Sequence, residues 1–152
     1  MTRRSVKGHH CYLTSGRVIE IDSPNHVLWL GEFSGPFVNV EGDGAFLHGT
    51  AWRCPGMNEM VDGKTVEAKG YCIITDADGD MCYLRWQAEP ATTPGELRGK
   101  SWWVGKSTGK YAGLTGENSW VMVCQIPPDP RRNEAGIVGF SDFEGWYELP
   151  GD

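Results

Sequence analysis

Four polar residues interrupt predicted strands that are otherwise apolar, and their types suit acid–base chemistry: Glu32, His48, Tyr83 and Arg85. If the side chains of Arg85 and Tyr83 point into an enclosed space, they can hold a carbonyl or enolate oxygen of a substrate. His48 or Glu32 can then move a proton, with a pKa tuned by burial. A buried charge is unfavourable unless it is paired, so an inward-facing Arg85 needs a partner, for which Glu32 is the candidate. The alternative is that these side chains face solvent.

Tryptophan is the second chemical signal, since the chain has 7 tryptophans among 152 residues. All of them fall in predicted strands. Aromatic side chains on strands either fill a core or line a cavity that offers flat surfaces to an apolar or aromatic ligand. The sequence leaves both interpretations open. Under the second one, we expect Trp86 and Trp102 to form walls of the cavity.

Two clusters have metal-ligand residue types, and neither predicts a metal site. A calcium loop starting at Asp76 needs glycine at its sixth position and glutamate at its twelfth, but these positions hold Met81 and Gln87. The run from Asp76 to Asp80 is therefore predicted to be a hairpin turn. The run from His9 to Cys11 lacks a second cluster to complete a ligand set. We expect neither a metal nor a cofactor.

These residues must be positioned by strands, because the sequence shows no convincing helix. The stretch from Ser101 to Gln125 contains two apolar runs joined by a loop in which Gly105, Gly109 and Gly113 recur. Glycine accepts positive φ without a Cβ clash, so this spacing predicts a structured corner. About eight strands follow from alternation and turn signals along the chain. Their predicted ranges are 17–22, 26–40, 46–53, 64–75, 80–87, 101–105, 120–125 and 135–149, and residues 11–13 are a candidate for a further short strand.

Both faces of several predicted strands are apolar. In one strand Cys82, Leu84 and Trp86 point one way, while Met81 and Tyr83 point the other way. A closed barrel whose outside is partly masked by loops or a partner subunit covers both faces. We therefore predict an all-β chain forming one eight-stranded antiparallel barrel domain over residues 1–152, with residues 1–10 as a flexible lead-in. Such a barrel has room for packed side chains or one small ligand.

Composition restricts the partners and the location. The formal net charge of −6 and the lack of a basic stripe argue against nucleic acid as a partner. The chain has no apolar run long enough for a membrane-spanning helix, and no apolar signal-peptide core follows the basic start. We expect no membrane association and a cytoplasmic location, or a mature exported chain if a signal peptide was removed.

The 5 cysteines cannot all pair with one another, and none lies in a CxxC spacing. Most occur in apolar strands, which favours reduced, buried thiols. One disulfide is the alternative, and Cys54–Cys72 is the first candidate for it.

The glycine-rich loop from Thr108 to Gly116, followed by Trp120, resembles the allene oxide cyclase-like β-barrel superfamily. This group includes allene oxide cyclases, dirigent proteins and the small barrel Diels–Alderases of polyketide pathways. The resemblance implies a calycin-like eight-stranded barrel, with a lipocalin- or avidin-like up-and-down barrel as the alternative. It also implies that Trp120 points into the barrel. Met122 and Cys124 share its parity and are expected on the same wall.

The expected function follows from this resemblance and from the aromatic strands. The leading hypothesis is a cofactor-independent cyclase or isomerase that holds a small, largely apolar or aromatic substrate in a reactive shape. Trp86, Trp102 and Trp120 would supply the walls of its site. The second hypothesis is a non-catalytic protein that binds a hydrophobic ligand or guides a reaction, as dirigent proteins do. The third is an oligomer-forming domain without a pocket. The resemblance also implies a homo-oligomer, either a dimer or a trimer.

Overall fold

A computed structural model describes residues 2–127, 129, 131 and 136–151 of the chain. In this part of the chain the strands form one closed antiparallel barrel in sequential order, and the last strand closes on the first. The predicted fold class, a single eight-stranded antiparallel barrel, is confirmed. The strands are Arg4–Ser23 (β1), His26–Asn39 (β2), Ala51–Val61 (β3), Lys64–Thr75 (β4), Met81–Ala88 (β5), Arg98–Val104 (β6), Thr115–Ile126 (β7) and Val138–Glu148 (β8).

The first strand begins earlier than the sequence predicts. Residues 4–10 belong to β1, where Gly8 pairs with Asn39 of β2 on one side and with Phe143 of β8 on the other. The flexible lead-in predicted over residues 1–10 is therefore wrong for residues 4–10. The inward positions of this segment include Gly8 and His10, so alternation of apolar residues does not reveal the strand.

The third strand is displaced relative to its predicted range. Residues 46–49 form a turn instead of a strand, with Leu47 at a φ of 65°. The strand then continues through Pro55 and Gly56, which were expected to end it. A Cβ at Gly56 would collide with the indole ring of Trp86, and Gly70 of β4 lies against the same ring. These two glycines therefore give a large inward side chain the space it needs.

The glycine-rich segment between β6 and β7 is the structured corner that the sequence predicts. Gly105, Gly109 and Gly113 all have positive φ, at 73°, 53° and 80°, and a short 3₁₀ turn spans Gly109–Tyr111. At its centre, the Lys110 ammonium lies 2.6 Å from an Asp76 carboxylate oxygen and 2.7 Å from one of Asp78. The hairpin turn predicted from Asp76 is confirmed, and a lysine of this chain neutralises its carboxylates.

The two ends of the barrel differ. At the closed end, where the loops 40–50, 76–80 and 105–114 lie, Phe46 stacks on Tyr147 with ring centroids 3.7 Å apart. Trp103 and Tyr111 pack edge-on against the same Phe46 ring. At the open end, where the turns after β1 and β3 lie, Trp29 remains half-buried. These aromatic rings therefore plug the closed end, and we call the opposite end the open end.

One disulfide crosses the inside of the barrel wall, between Cys54 of β3 and Cys72 of β4. The single-disulfide alternative is thus the arrangement found for this pair. The other three cysteines, Cys11, Cys82 and Cys124, are free thiols. In the described residues, no helix is long and apolar enough to cross a membrane.

Candidate functional site

The candidate site is a cavity of about 60 Å³ inside the barrel. Its walls are mainly aromatic, and the disulfide Cys54–Cys72 and the polar groups of Ser101 and Ser141 also border it. The aromatic lining residues are His10, Tyr12, Phe33, Trp52, Trp86, Trp120 and Phe143. Because inward residues alternate with outward ones along each strand, every strand contributes its lining residues at a spacing of two.

Two tryptophans form one wall of this cavity. The rings of Trp86 and Trp120 meet at right angles with centroids 5.8 Å apart. The indole N–H of Trp86 donates to the carbonyl of Tyr71 at 3.2 Å, and that of Trp120 donates to the carbonyl of Lys100 at 3.0 Å. Since the backbone satisfies both N–H groups, the rings offer the cavity an apolar surface without an unpaired donor.

The main polar group of the site is His10, which is only 6% exposed. Its ring lies against Trp52 with centroids 5.0 Å apart. Burial lowers the pKa of His10 to about 4, although a hydrogen bond to the Gly35 carbonyl acts in the opposite direction. The imidazole is therefore neutral near pH 7, which is where a histidine can serve as a hydrogen-bond acceptor or a base.

The tautomer of His10 follows from its partners. Nε2 is buried and has no hydrogen-bond partner among the described residues. A hydrogen bond to the Gly35 backbone is one of the influences on the pKa of this ring, and because Nε2 has no partner, we infer that Nδ1 carries the N–H of that bond. The lone pair of Nε2 is thus the one acceptor of this ring that the protein leaves unused, and the residue lines the cavity.

A second polar group, the hydroxyl of Tyr12, lies in the same cavity. It donates a hydrogen bond to the sulfur of Met122 at 2.8 Å, and a thioether is a weak acceptor. Burial and, to a lesser degree, the neighbouring Cys124 raise the pKa of Tyr12. The phenol therefore stays protonated near pH 7. A better hydrogen-bond acceptor than the Met122 sulfur can replace that sulfur as the partner of the Tyr12 O–H.

A further cavity of about 110 Å³ occupies the open end of the barrel. It shares Phe33, Leu97 and Met122 with the interior cavity. We call these three side chains the partition. Each cavity alone is smaller than the roughly 150 Å³ that holds one benzene molecule in an engineered site. A ligand with a full ring therefore needs the partition to move.

A third cavity, of about 390 Å³, lies at the closed end between the loop after β2 and the turn after β4. The charged groups that line it are paired with one another, since Lys110 binds Asp76 and Asp78. His48 also lines it. The Nδ1 atom of His48 accepts the backbone N–H of Asn39 at 3.2 Å, and its Nε2 lies 3.3 Å from a carboxylate oxygen of Asp43. This cavity thus offers no unused polar group comparable to His10.

The four residues considered for acid–base chemistry do not converge. Glu32 binds Arg53, with 2.6 Å between the carboxylate and the guanidinium, so the predicted pair with Arg85 does not form. Arg85 is exposed and lies over the outward-facing ring of Trp102, 5.2 Å from its centroid.

Tyr83 shares the outward parity of Arg85 on β5, because the alternating residues Cys82, Leu84 and Trp86 are the buried ones. His48 lies at the closed end, away from the interior cavity. The alternative of an exterior placement is therefore the one found for Glu32, Tyr83 and Arg85.

The five residues predicted to bind a ligand divide into two groups. Trp86, Trp120 and Met122 line the interior cavity. Trp102 does not, because it occupies an outward position of β6 beside Arg85. Cys124 is not among the lining residues either. It stays half-buried between the exposed Val123 and Gln125, beyond the register shift that follows Met122.

Sequence reasoning missed His10 and Tyr12 as site residues. Both lie at or next to the segment that was assigned to a flexible lead-in. In the structure Val6, Gly8, His10, Tyr12 and Thr14 are all buried and the residues between them are more exposed. Because these inward residues mix apolar, glycine and polar types, the sequence carries no clear signal for them.

Comparisons of the chain with protein-family models, with curated proteins and with solved structures give no match to any of them. The resemblance of the Thr108–Gly116 loop to the allene oxide cyclase-like superfamily therefore stays a prediction.

Proposed function

We propose that the barrel binds one small, largely apolar or aromatic molecule in its interior cavity. The observation that carries this proposal is the combination of an aromatic lining with a buried His10 whose Nε2 has no partner among the described residues. Aromatic walls supply apolar contact area, and a few placed polar groups orient a ligand, which is the usual composition of a small-molecule site.

Access is from the open end, because aromatic rings plug the other end. Met122 is the most adaptable member of the partition, since its unbranched side chain has three rotatable bonds. We infer that it swings aside when a ligand enters, which joins the interior cavity to the one at the open end.

Titration with benzene, followed by NMR of the tryptophan indole N–H groups, tests this proposal. The resonances of Trp86 and Trp120 should move with saturation, while those of Trp102 and Trp146 on the outside stay in place. The variant Ser141→Leu places bulk in the cavity and should abolish the shifts, whereas Ser119→Leu on the exposed face of β7 should leave them unchanged. Unmoved Trp86 and Trp120 resonances with benzene, phenol and anisole alike would overturn the proposal.

A second candidate function is a cofactor-independent cyclase or isomerase acting on a molecule of the same class. The observation that favours it is the presence of a neutral histidine and a protonated tyrosine in one cavity, with the rings of His10 and Tyr12 5.7 Å apart. A hydrogen-bond acceptor and a hydrogen-bond donor held beside an apolar substrate can polarise it as charge develops, and the resemblance of the Thr108–Gly116 loop supports the same class.

Mass spectrometry of small molecules that co-purify with the protein from its native host tests turnover. Any such molecule is re-added to the protein and followed over time. A cyclase or isomerase should convert it, and His10→Gln should slow the conversion at least tenfold. A ligand that binds and is never converted would leave binding as the function.

The homo-oligomer, either a dimer or a trimer, also stays a proposal. It is supported by apolar side chains that lie next to one another on the outside of the barrel. Leu13 and Val138 are paired, Val138 is also paired with Ile126, and the three are 50%, 52% and 52% exposed. Sedimentation velocity should show a species heavier than the monomer, and Val138→Asp should shift it towards the monomer. A monomer at every concentration would contradict this proposal.

A further inference from the structure

We propose that the interior cavity selects neutral, single-ring aromatic alcohols of the phenol class over aromatic molecules that lack a hydroxyl group. This inference rests on the proposed function, because it names the class of ligand that the same cavity binds. It starts from the hydrogen-bonding polarity of the two polar rings that line the cavity.

The first requirement is a donor on the ligand. Nε2 of His10 is buried and has no partner among the described residues. With Nδ1–H inferred to donate to the Gly35 carbonyl, Nε2 is left to accept a hydrogen bond. Burying an acceptor without a partner is unfavourable, because the free energy of its hydration is lost and no hydrogen bond replaces it. A ligand with an O–H can donate a hydrogen bond to Nε2. A ketone or an ether has no such donor and would place its own acceptor oxygen beside the Nε2 lone pair.

The second requirement is an acceptor on the ligand. The hydroxyl of Tyr12 donates to the sulfur of Met122, and Met122 belongs to the partition that a ring-sized ligand displaces. Once Met122 moves, the Tyr12 hydroxyl needs a new acceptor. A hydroxyl group on the ligand meets both requirements, because it donates a hydrogen bond to Nε2 of His10 and its oxygen accepts one from the Tyr12 hydroxyl. The rings of these two residues are neighbours, with centroids 5.7 Å apart.

The third requirement is neutrality. None of the described residues that line the interior cavity is an aspartate, glutamate, lysine or arginine, and Glu96, which lines the open-end cavity, already pairs with Arg98 at 3.1 Å. A carboxylate or an ammonium group would therefore lose its hydration without gaining an ionic partner, which is strongly unfavourable. Ser101 and Ser141 also line the cavity, but a serine hydroxyl both donates and accepts, so these residues do not discriminate between ligand types.

The fourth requirement is size. The interior cavity and the one at the open end, about 60 Å³ and 110 Å³, hold about one aromatic ring when the partition opens. The ring would lie against Trp86 and Trp120, whose N–H groups are already bonded to backbone carbonyls. Phenol is therefore the simplest probe that meets all four requirements.

The test compares phenol with anisole, its methyl ether, and with benzoate, by NMR titration of the indole N–H groups of Trp86 and Trp120. Phenol should bind at least tenfold more tightly than anisole, and benzoate should not bind at neutral pH. Addition of phenol should also move the Nε2 resonance of His10, which reports a new hydrogen bond. The comparison uses the wild-type chain, so it does not depend on the folding of any variant.

Three variants assign the preference to His10. His10→Phe should reduce the ratio of the two dissociation constants to about one, and His10→Gln, which restores a carbonyl acceptor, should recover part of it. His9→Phe is the matched control and should keep the ratio, because His9 lies on the outer face and binds Asp142 at 2.8 Å. Circular dichroism checks that each variant is folded.

The outcomes separate this inference from the proposed function. Equal binding of phenol and anisole would overturn the selection for a hydroxyl group and leave the ligand-binding barrel intact. A phenol preference that persists in a folded His10→Phe would overturn the assignment to His10. Failure of every neutral probe to perturb Trp86 and Trp120 would overturn the proposed function itself.

Discussion

The inner and outer faces of the barrel carry the same residue types in opposite surroundings. Inside, Trp86 and Trp120 bond their N–H groups to backbone carbonyls and pack ring against ring. Outside, Trp102 lies under the Arg85 guanidinium at 5.2 Å, and Trp146 lies under that of Arg3 at 3.6 Å. The π face of an outward tryptophan thus binds a cation, whereas the π face of an inward tryptophan is available to other rings or to a ligand.

The histidines show the same contrast in their protonation. Burial holds the pKa of the inward His10 at about 4. At the open end, hydrogen bonds to the carboxylates of Glu59 and, to a lesser degree, Asp22 raise the pKa of the half-buried His26. One histidine is therefore a neutral acceptor near pH 7, and in the other the neighbouring carboxylates favour the charged form. The strand face on which a histidine lies decides which chemistry it can do.

The largest expected effect is the removal of an inward ring. Trp52 is 3% exposed and stacks on Phe37 with centroids 4.8 Å apart. Trp52→Ala leaves a cavity in the core, and we expect the free energy of unfolding to fall by about 4 kcal/mol. Trp102→Ala on the outer face is the matched control, with a loss of about 1 kcal/mol or less. Urea denaturation measures both, and similar losses at the two sites would contradict the contrast between the faces.

The next largest effect concerns the cysteines, whose contribution to stability and reactivity should depend on where they lie in the barrel. Cys54 and Cys72 are 18 residues apart in sequence, and a disulfide closing such a loop stabilises a protein by about 3 kcal/mol. Reduction should therefore lower the unfolding free energy by about this amount. In the native protein, a thiol reagent should modify the half-buried Cys11 and Cys124 before the fully buried Cys82. Rapid modification of Cys82 together with the other two would show that the interior is open to solvent.

A smaller effect is expected from pH. The pKa of His10 falls from 6.5 to about 4 on folding, so the unfolded chain binds a proton between these values and the folded chain does not. Stability from this group is complete above about pH 6.5 and declines as the pH falls towards 4. Between pH 7 and pH 5, the loss should be about 2 kcal/mol.

The comparison of wild type with His10→Phe isolates this contribution. Denaturation at pH 7 and pH 5 should show a smaller difference in the variant, because it lacks the titrating group. The raised pKa of His26 acts in the opposite direction, but it is common to both proteins and cancels. An equal pH difference in the two proteins would contradict a neutral, buried His10.

The contrast between the faces also explains how much the sequence could predict. Strand period and turn signals are local, so the alternation of Cys82, Leu84 and Trp86 against Met81 and Tyr83 was enough to predict a closed sheet. The same alternation does not say which face is inside when both are apolar. Glu32 and Arg85 were considered as inward groups for this reason, although their strands present them outwards.

The candidate site was harder to predict, since its polar groups lie in β1. The inward positions of this strand are a mixture of apolar, glycine and polar residues, which include Gly8, His10 and Thr14. They become recognisable only when β2 and β8 pair on both sides of them. The register shift between Met122 and Cys124 is likewise a property of strand pairing, and no residue type predicts it.

The smallest expected effect comes from the outer ion pair of Glu32 and Arg53, whose side chains are 28% and 65% exposed. A solvent-exposed pair contributes little, because water screens it and two long side chains must be ordered. Glu32→Gln should therefore change the unfolding free energy by about 1 kcal/mol or less and leave the dissociation constant of phenol unchanged. His10→Gln is a similarly conservative change in chemistry, but it should weaken phenol binding. If Glu32→Gln weakened binding as much as His10→Gln, the outer face would share in ligand recognition, and the separation of a stabilising outer face from a ligand-binding inner one would fail.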